Sequence, residues 1–252
     1  MITIISPAKS LNFDIEVPDM KTTLPHFLND AEKLVKVLKK KKPAEVQKMM
    51  DISFDLASLN YQRYQSWSVQ SFELEAKPAV LVFSGEVYRG LEASKLNPKQ
   101  LEYAQQHLVI LSGLYGALRA LDNMLPYRLE MGTPLATNAK TKNLYAYWGG
   151  RVTEYLNELS KGKPLINLAS NEYFKVVKPK LYKGEIATPV FKEFKNGKHV
   201  TVMTYAKQAR GKMTRYIIEN KIEMPEKLKA FNTDGYMYTE SLSTDTEWVF
   251  TR

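Results

Sequence analysis

Short apolar runs punctuate this chain at wide intervals: Ile2–Ile5, Ala79–Phe83, Leu108–Leu111 and Pro164–Ala169. Turn residues follow three of them, as Ser6-Pro7, Ser84-Gly85 and Ser112-Gly113. Runs of this length bounded by such residues predict strands buried on both faces. Between them the periodicity changes to three and four. Phe27, Leu28, Ala31, Leu34, Val35 and Leu38 paint one face of a helix over Pro25–Lys42, which Pro43 terminates. Further helices are predicted over Pro43–Met50, Phe54–Trp67, Glu86–Ala93, Pro98–His107, Leu144–Lys161 (closed by Gly162) and Ala206–Asn220. Lys195-Asn196-Gly197-Lys198 predicts a hairpin turn, because Asn-Gly readily adopts positive φ, and Trp248–Phe250 a closing strand. The pattern is that of an α/β (mixed α+β) protein, a mixed sheet with several flanking helices.

Composition adds bounds. A chain of 252 residues, 44% hydrophobic and 25% charged, with no Pro-, Gly- or Ser-rich linker, is expected to form one compact domain over residues 1–252. The sequence holds no cysteine, which excludes disulfides, thiolate metal sites and a cysteine nucleophile and agrees with a reducing compartment. His26, His107 and His199 lie far apart in sequence, so no metal and no cofactor is expected. The opening residues lack the basic start and long apolar core of a secretion signal, and charges interrupt every would-be membrane span. A cytoplasmic protein with no membrane partner, favoured as a monomer, is the expectation.

The net charge of +9 changes the picture most, because it attracts phosphate-rich partners. Lys39–Lys42 closes a predicted helix, where cations suit the negative end of the dipole, and reads as a solvated terminus. More pointed is Tyr205–Arg215, where Lys207, Arg210, Lys212 and Arg215 surround Gly211. A glycine costs a helix about 1 kcal/mol relative to alanine, so without a packing reason it suggests function. Ser112-Gly113-Leu114-Tyr115-Gly116 is read as joining a strand to a helix that carries Arg119, with glycines that bring backbone amides near an anion. The alternative for Gly113 and Gly116 is a tight turn and close packing. Arg89 and Arg128 also stand beside turns. Arginine's planar fork suits phosphate, while an internal ion pair with Glu130 is the other reading for Arg128. Lys9 lies just past the first strand; Ser170 and Asn171 read as helix caps beside Glu172.

Taken in order, Ile5–Lys9, Gly85–Leu91, Leu111–Leu118, Pro126–Gly132, Asn167–Lys180, Tyr205–Asn220 and the closing Phe231–Tyr236 resemble the bacterial peroxide-stress YaaA family over essentially the whole chain. The resemblance implies a role in limiting oxidative damage by keeping unincorporated intracellular iron low. It also implies DNA binding and an unusual α/β fold with a basic cleft and a helix-hairpin-helix element. Carried over by position, Ser112–Gly116 with Arg119 takes the place of the hairpin, although its glycines are separated by two residues instead of one. Lys9, Arg128, Lys207 and Arg210 would line the cleft, Gly113 and Gly116 would grip phosphate, and Tyr115 would stack on bases. Binding would depend little on DNA sequence, and without cysteine any effect on iron would be indirect. A competing reading is an enzyme acting on a nucleotide or nucleic acid, with Lys9, Lys207 and Arg210 on phosphate and Glu130 or Glu172 as acid or base. An acidic protein partner on the basic face is a third.

Overall fold

The computed structural model describes residues 1–252. Ile2–Ile5 (β1) is buried at every position and lies inside the main sheet, followed by the two-residue strand Ser10–Leu11 (β2). Leu28–Leu38 (α1), Pro43–Met50 (α2), Phe54–Ser66 (α3) and Phe72–Glu75 (α4) form a helical stretch. Lys77–Pro78 (β3), Ala79–Val82 (α5), Phe83–Ser84 (β4), Glu86–Leu91 (α6) and Pro98–His107 (α7) return the chain to Leu108–Ser112 (β5), Gly116–Arg119 (β6) and Asn123–Met124 (β7). Leu144–Trp148 (α8) and Arg151–Ser160 (α9) precede Leu165–Leu168 (β8) and Asn171–Phe174 (α10). Ile186–Lys195 (β9), Lys198–Val200 (β10), Met203–Glu219 (α11), Met237–Tyr238 (β11) and Glu247–Thr251 (β12) complete the chain.

The sheet runs β11-β12-β9-β8-β1-β5-β6, with β10 also paired to β9. β12, β9, β8, β1 and β5 are parallel to one another, whereas β11, β6 and β10 pair antiparallel at the margins. This is the mixed α/β sheet that the apolar runs predict. β1, β5 and β8 are buried throughout because helices cover both faces, so their sequences show no alternation. One apolar core of 69 residues reaches from Met1 to Phe250 and includes residues from most of the helices.

Three predicted elements differ. Ala79–Phe83 is not a central strand: Ala79–Val82 is a single helical turn, whose Ala79 and Val80 amides donate to the carbonyls of Asp122 and Ala120 (2.9 and 3.0 Å). A short apolar run shows burial but not period, so strand and buried turn look alike in sequence. Leu144–Lys161 is two helices, because Gly149 takes φ +54° between them. Ser112–Gly116 joins two antiparallel strands, with Ser112 paired to Gly116, and not a strand to a helix.

α6 and α11 cross at glycines. A Cβ on Gly90 would lie 2.2 Å from the Gln208 carbonyl oxygen, and one on Gly211 would lie 1.8 Å from that of Val87. Gly211 thus has the packing reason that its sequence context conceals. Its absent side chain lets two backbones meet.

Candidate functional site at the carboxyl edge of the sheet

The topology singles out one place. From β1 the chain travels to β5 on one side, whereas β8, on the other side of β1, leads away to β9. The connections leaving β1 and β8 therefore diverge, which opens a crevice at their carboxyl ends, the usual ligand position in open α/β sheets. Ser6 and Ser170 meet there. The Ser170 amide donates to Ser6 Oγ at 2.9 Å, and the two hydroxyl oxygens are 3.2 Å apart. Tyr88, carried in by α6, donates its hydroxyl to the Ser6 carbonyl oxygen at 3.0 Å.

Past Ser6 the chain turns outward and Lys9 reaches Glu130, Nζ to Oε2 2.8 Å. Arg128 Nη2 meets the other oxygen of Glu130 at 3.1 Å, so one carboxylate bridges two cations. The three differ in exposure: the Lys9 side chain is 63% exposed, Glu130 23% and Arg128 15%. Both readings of Arg128 bear on this arrangement, since it is ion-paired yet lies beside an accessible lysine. Its backbone carbonyl accepts from Tyr64, and its buried Nε has no partner within the protein. Glu172 closes the group. Its Oε1 accepts from the Gly132 amide at 2.9 Å, and its carbonyl accepts from Tyr145 at 2.9 Å. Lys9, Arg128, Glu130 and Glu172 thus converge on the Pro126–Gly132 segment.

The tyrosines beneath stay protonated. Burial pushes the hydroxyls of Tyr88, Tyr127 and Tyr173 well above the usual phenol range, and for Tyr127 the bond to Ser112 Oγ (2.6 Å) opposes this. The edge therefore combines neutral hydroxyls, an exposed ammonium and a carboxylate held between cations. Such a set can orient a phosphate or sugar hydroxyl and accept a proton from it.

The glycine loop is elsewhere in character. Ser112, Gly113, Leu114, Tyr115 and Gly116 are all buried. A Cβ on Gly113 would sit 2.2 Å from the Leu129 carbonyl oxygen, and Gly116, at φ +68°, lies against the Trp148 ring. Ser112 Oγ accepts the Tyr115 amide at 2.9 Å, and Trp148 Nε1 donates to the Gly113 carbonyl at 3.0 Å. Burial and close neighbours keep Gly113 and Gly116 away from the surface, which corrects the expectation that they present amides to phosphate. Tyr115 has no exposed surface; its hydroxyl accepts from Trp67 Nε1 (3.0 Å) and from the Leu125 amide (3.1 Å), so it stacks on no base.

The remaining cations divide by partner. Arg119 pairs in register with Val109, toward the opposite end of β5, and binds fully buried Asp122 at 3.1 Å; it is a structural ion pair away from the carboxyl edge. Arg89 binds Glu86 at 2.5 Å, Lys212 binds Asp234 at 2.5 Å, and Arg215 binds Glu219 at 2.7 Å and Glu92 at 3.3 Å. Lys207 and Arg210 take part in no such pair. Arg210 is partly buried, and desolvation alone lowers its pKa, with no neighbouring charge to offset it.

Two features have a signal in the sequence that turn chemistry alone does not weigh. α2 and α3 form a helical hairpin joined only by Asp51–Ser53, with Asp51 at φ +51° and the Ser53 hydroxyl capping α3 through the Leu56 amide. Pro43 and Ser53 mark its helix starts. The β9–β10 turn, meanwhile, exposes Phe194 and His199 beside its lysines. No helix of the chain is long and apolar enough to cross a membrane.

Residues 1–242 match the family model described as peroxide stress protein YaaA. The chain is 51% identical to a UPF0246 protein of Saccharophagus degradans over 255 residues, covering 100% of this chain and 99% of the relative. A UPF0246 protein of Ralstonia pickettii is likewise 51% identical with the same coverage, and one of Aliivibrio fischeri is 47% identical over 100% of this chain and 98% of its own. With near-complete coverage at about half identity and a model spanning its length, the chain belongs to the peroxide stress protein YaaA family.

Proposed function

We propose that this protein serves the peroxide-stress response in the cytoplasm by binding DNA with little sequence specificity, and helps limit unincorporated iron and oxidative DNA damage. The observation that carries the DNA reading is the state of α11. Lys212 and Arg215 are neutralised by carboxylates, but Lys207 and Arg210, one turn nearer its amino end, are not. Two like charges on one helix face repel, and desolvating Arg210 adds to the cost. A phosphate between them removes both penalties. The net charge of +9 supplies the long-range attraction. We assign the hairpin element of this reading to α2–α3, whose Asp51–Ser53 junction is at the surface, in place of buried Ser112–Gly116. A chain without cysteine has no thiolate store for iron, so its action on iron is indirect.

The test is equilibrium binding to labelled duplex, gapped and single-stranded DNA across a salt series, with a Lys207→Ala, Arg210→Ala double variant. On duplex, log affinity should fall with log salt at about −0.9 per phosphate contact, with a slope shallower by about 2 in the double variant. No binding near physiological salt, or a slope unchanged by the substitutions, overturns the reading.

A second reading, an enzyme acting on a nucleotide or nucleic acid, is favoured by the Lys9–Glu130–Arg128 group beside the β1–β8 crevice. Turnover of a nucleotide substrate that Glu130→Gln abolishes, with DNA affinity retained, would establish it.

A further inference from the structure

The hairpin of β9 and β10 is exposed from Phe194 to His199. Phe194 and His199 stand directly opposite each other, with ring centroids 5.1 Å apart. Phe194 is 61% exposed although apolar, and the surface continues into the first turn of α11 through Met203 (59%) and Tyr205 (44%). Arg252 ties these pieces together. Its carbonyl accepts the Phe194 amide at 2.8 Å, its guanidinium lies 5.1 Å from the Tyr205 ring centroid, and its Nε bonds both oxygens of Glu193 at 3.0 Å.

The charges on this surface are one-sided. Lys195 and Lys198 are directly opposite across the turn, an arrangement that like charges disfavour. Glu193, the hairpin's carboxylate, is occupied by Arg252 and by the Tyr236 hydroxyl. Lys207 follows Tyr205 by two residues and has no ion-pair partner. The tip thus carries two uncompensated costs, exposed aromatic surface and facing lysines. A polyanion that also offers flat apolar faces relieves both, and nucleic acid with unpaired bases is such a ligand.

We propose that the β9–β10 hairpin and the first turn of α11 form a stacking platform for unpaired DNA bases. Phe194, His199 and Tyr205 take base faces, and Lys195, Lys198 and Lys207 take the flanking phosphates. The inference rests on the DNA-binding reading and adds the form of DNA engaged. In intact duplex the base faces are already stacked on one another, so the platform selects single-stranded, gapped or otherwise opened DNA.

The experiment compares the affinity of the full chain for a labelled single-stranded oligonucleotide, a gapped duplex and an intact duplex at one salt concentration. Phe194→Ala and Tyr205→Ala should each weaken binding to the first two by about 5- to 100-fold and leave intact duplex within about twofold. Phe194→Trp should retain tight single-strand binding and Phe194→Leu should not, which separates a flat face from mere bulk. Lys195→Ala with Lys198→Ala should make the single-strand salt slope shallower by about 1.4. Thermal melts of every variant should match the parent, because the substituted side chains are exposed. Duplex binding by the parent with single-strand affinity indifferent to Phe194 and Tyr205 overturns the platform alone. Absence of binding to any of the three DNAs overturns the DNA reading and the platform with it.

Discussion

The protein contains two β-hairpins with glycine at the turn, and they have opposite characters. In Ser112–Gly116 every residue is buried, Ser112 Oγ is bonded to the Tyr115 amide and to Tyr127, and the Gly113 carbonyl accepts from Trp148. In Lys195–Lys198 every residue is exposed, Asn196 and Gly197 take φ +50° and +76°, and no heavy atom lies within 4 Å of a Cβ built on Gly197. Glycine announces the same thing in both, a backbone that turns sharply or is approached closely. What the turn can do is decided by its surroundings. Where neighbouring chain occupies the space of the missing side chain, the glycine serves packing; where solvent does, the turn's other residues are free to meet a partner.

Substitutions at the glycines test that distinction most severely. Gly211→Ala would place its Cβ 1.8 Å from the Val87 carbonyl oxygen, and Gly113→Ala would place one 2.2 Å from that of Leu129. Backbone atoms cannot give way as a flexible side chain can, so each should cost about 3 kcal/mol or more, read as a large drop in the denaturation midpoint. Gly116→Ala combines a left-handed φ of +68° with a contact of 2.8 Å to the Trp148 ring, and should be comparably damaging. If Gly113→Ala left stability unchanged and weakened DNA binding, the buried assignment of this loop would be wrong. At the outer hairpin Gly197→Ala meets no neighbour and incurs only the left-handed penalty of about 1 kcal/mol.

The same contrast shows what the sequence discloses. β1, β5 and β8 are legible because a strand covered on both faces must be apolar at consecutive positions, and α1 because its apolar spacing matches one helical face. Asn196-Gly197 is legible because its conformation is local. Gly113 and Gly211 are not, since the atoms that exclude a side chain belong to Leu129 and Val87, remote in sequence from either. The convergence of Lys9, Arg128, Glu130 and Glu172 is likewise a product of strand order, although the Arg128–Glu130 pair lies within reach of sequence reasoning at a separation of two residues. The exposure of Phe194 has a sequence signal. Phe191 is buried, and residues three apart on a strand face opposite ways, so Phe194 must point outward once Phe191 points in.

The mildest test concerns acid sensitivity at the root of the buried hairpin. His107 ends α7 and leads directly into β5; its ring stacks on Tyr103 with centroids 4.1 Å apart, and its Nδ1 bonds the Met1 carbonyl oxygen at 2.9 Å. Burial lowers its pKa, and the bond to Met1 opposes that only in part. The folded protein then binds this proton less readily than the unfolded chain, in which histidine titrates near about 6.5. The contribution to stability is therefore complete above that pH and is lost as pH falls through it, because protons accumulate on the unfolded state. The urea midpoint should decline between about pH 7 and pH 5.5, a window above the ordinary carboxylate range. His107→Asn keeps a donor at the Nδ1 position for the Met1 carbonyl without titrating and should flatten the decline, whereas an unchanged slope would mean that His107 protonates as easily in the fold as out of it. In the second case the entrance to β5 would be wetter than the packing around Tyr103 describes, and the sealed character of the inner hairpin would not extend to its base.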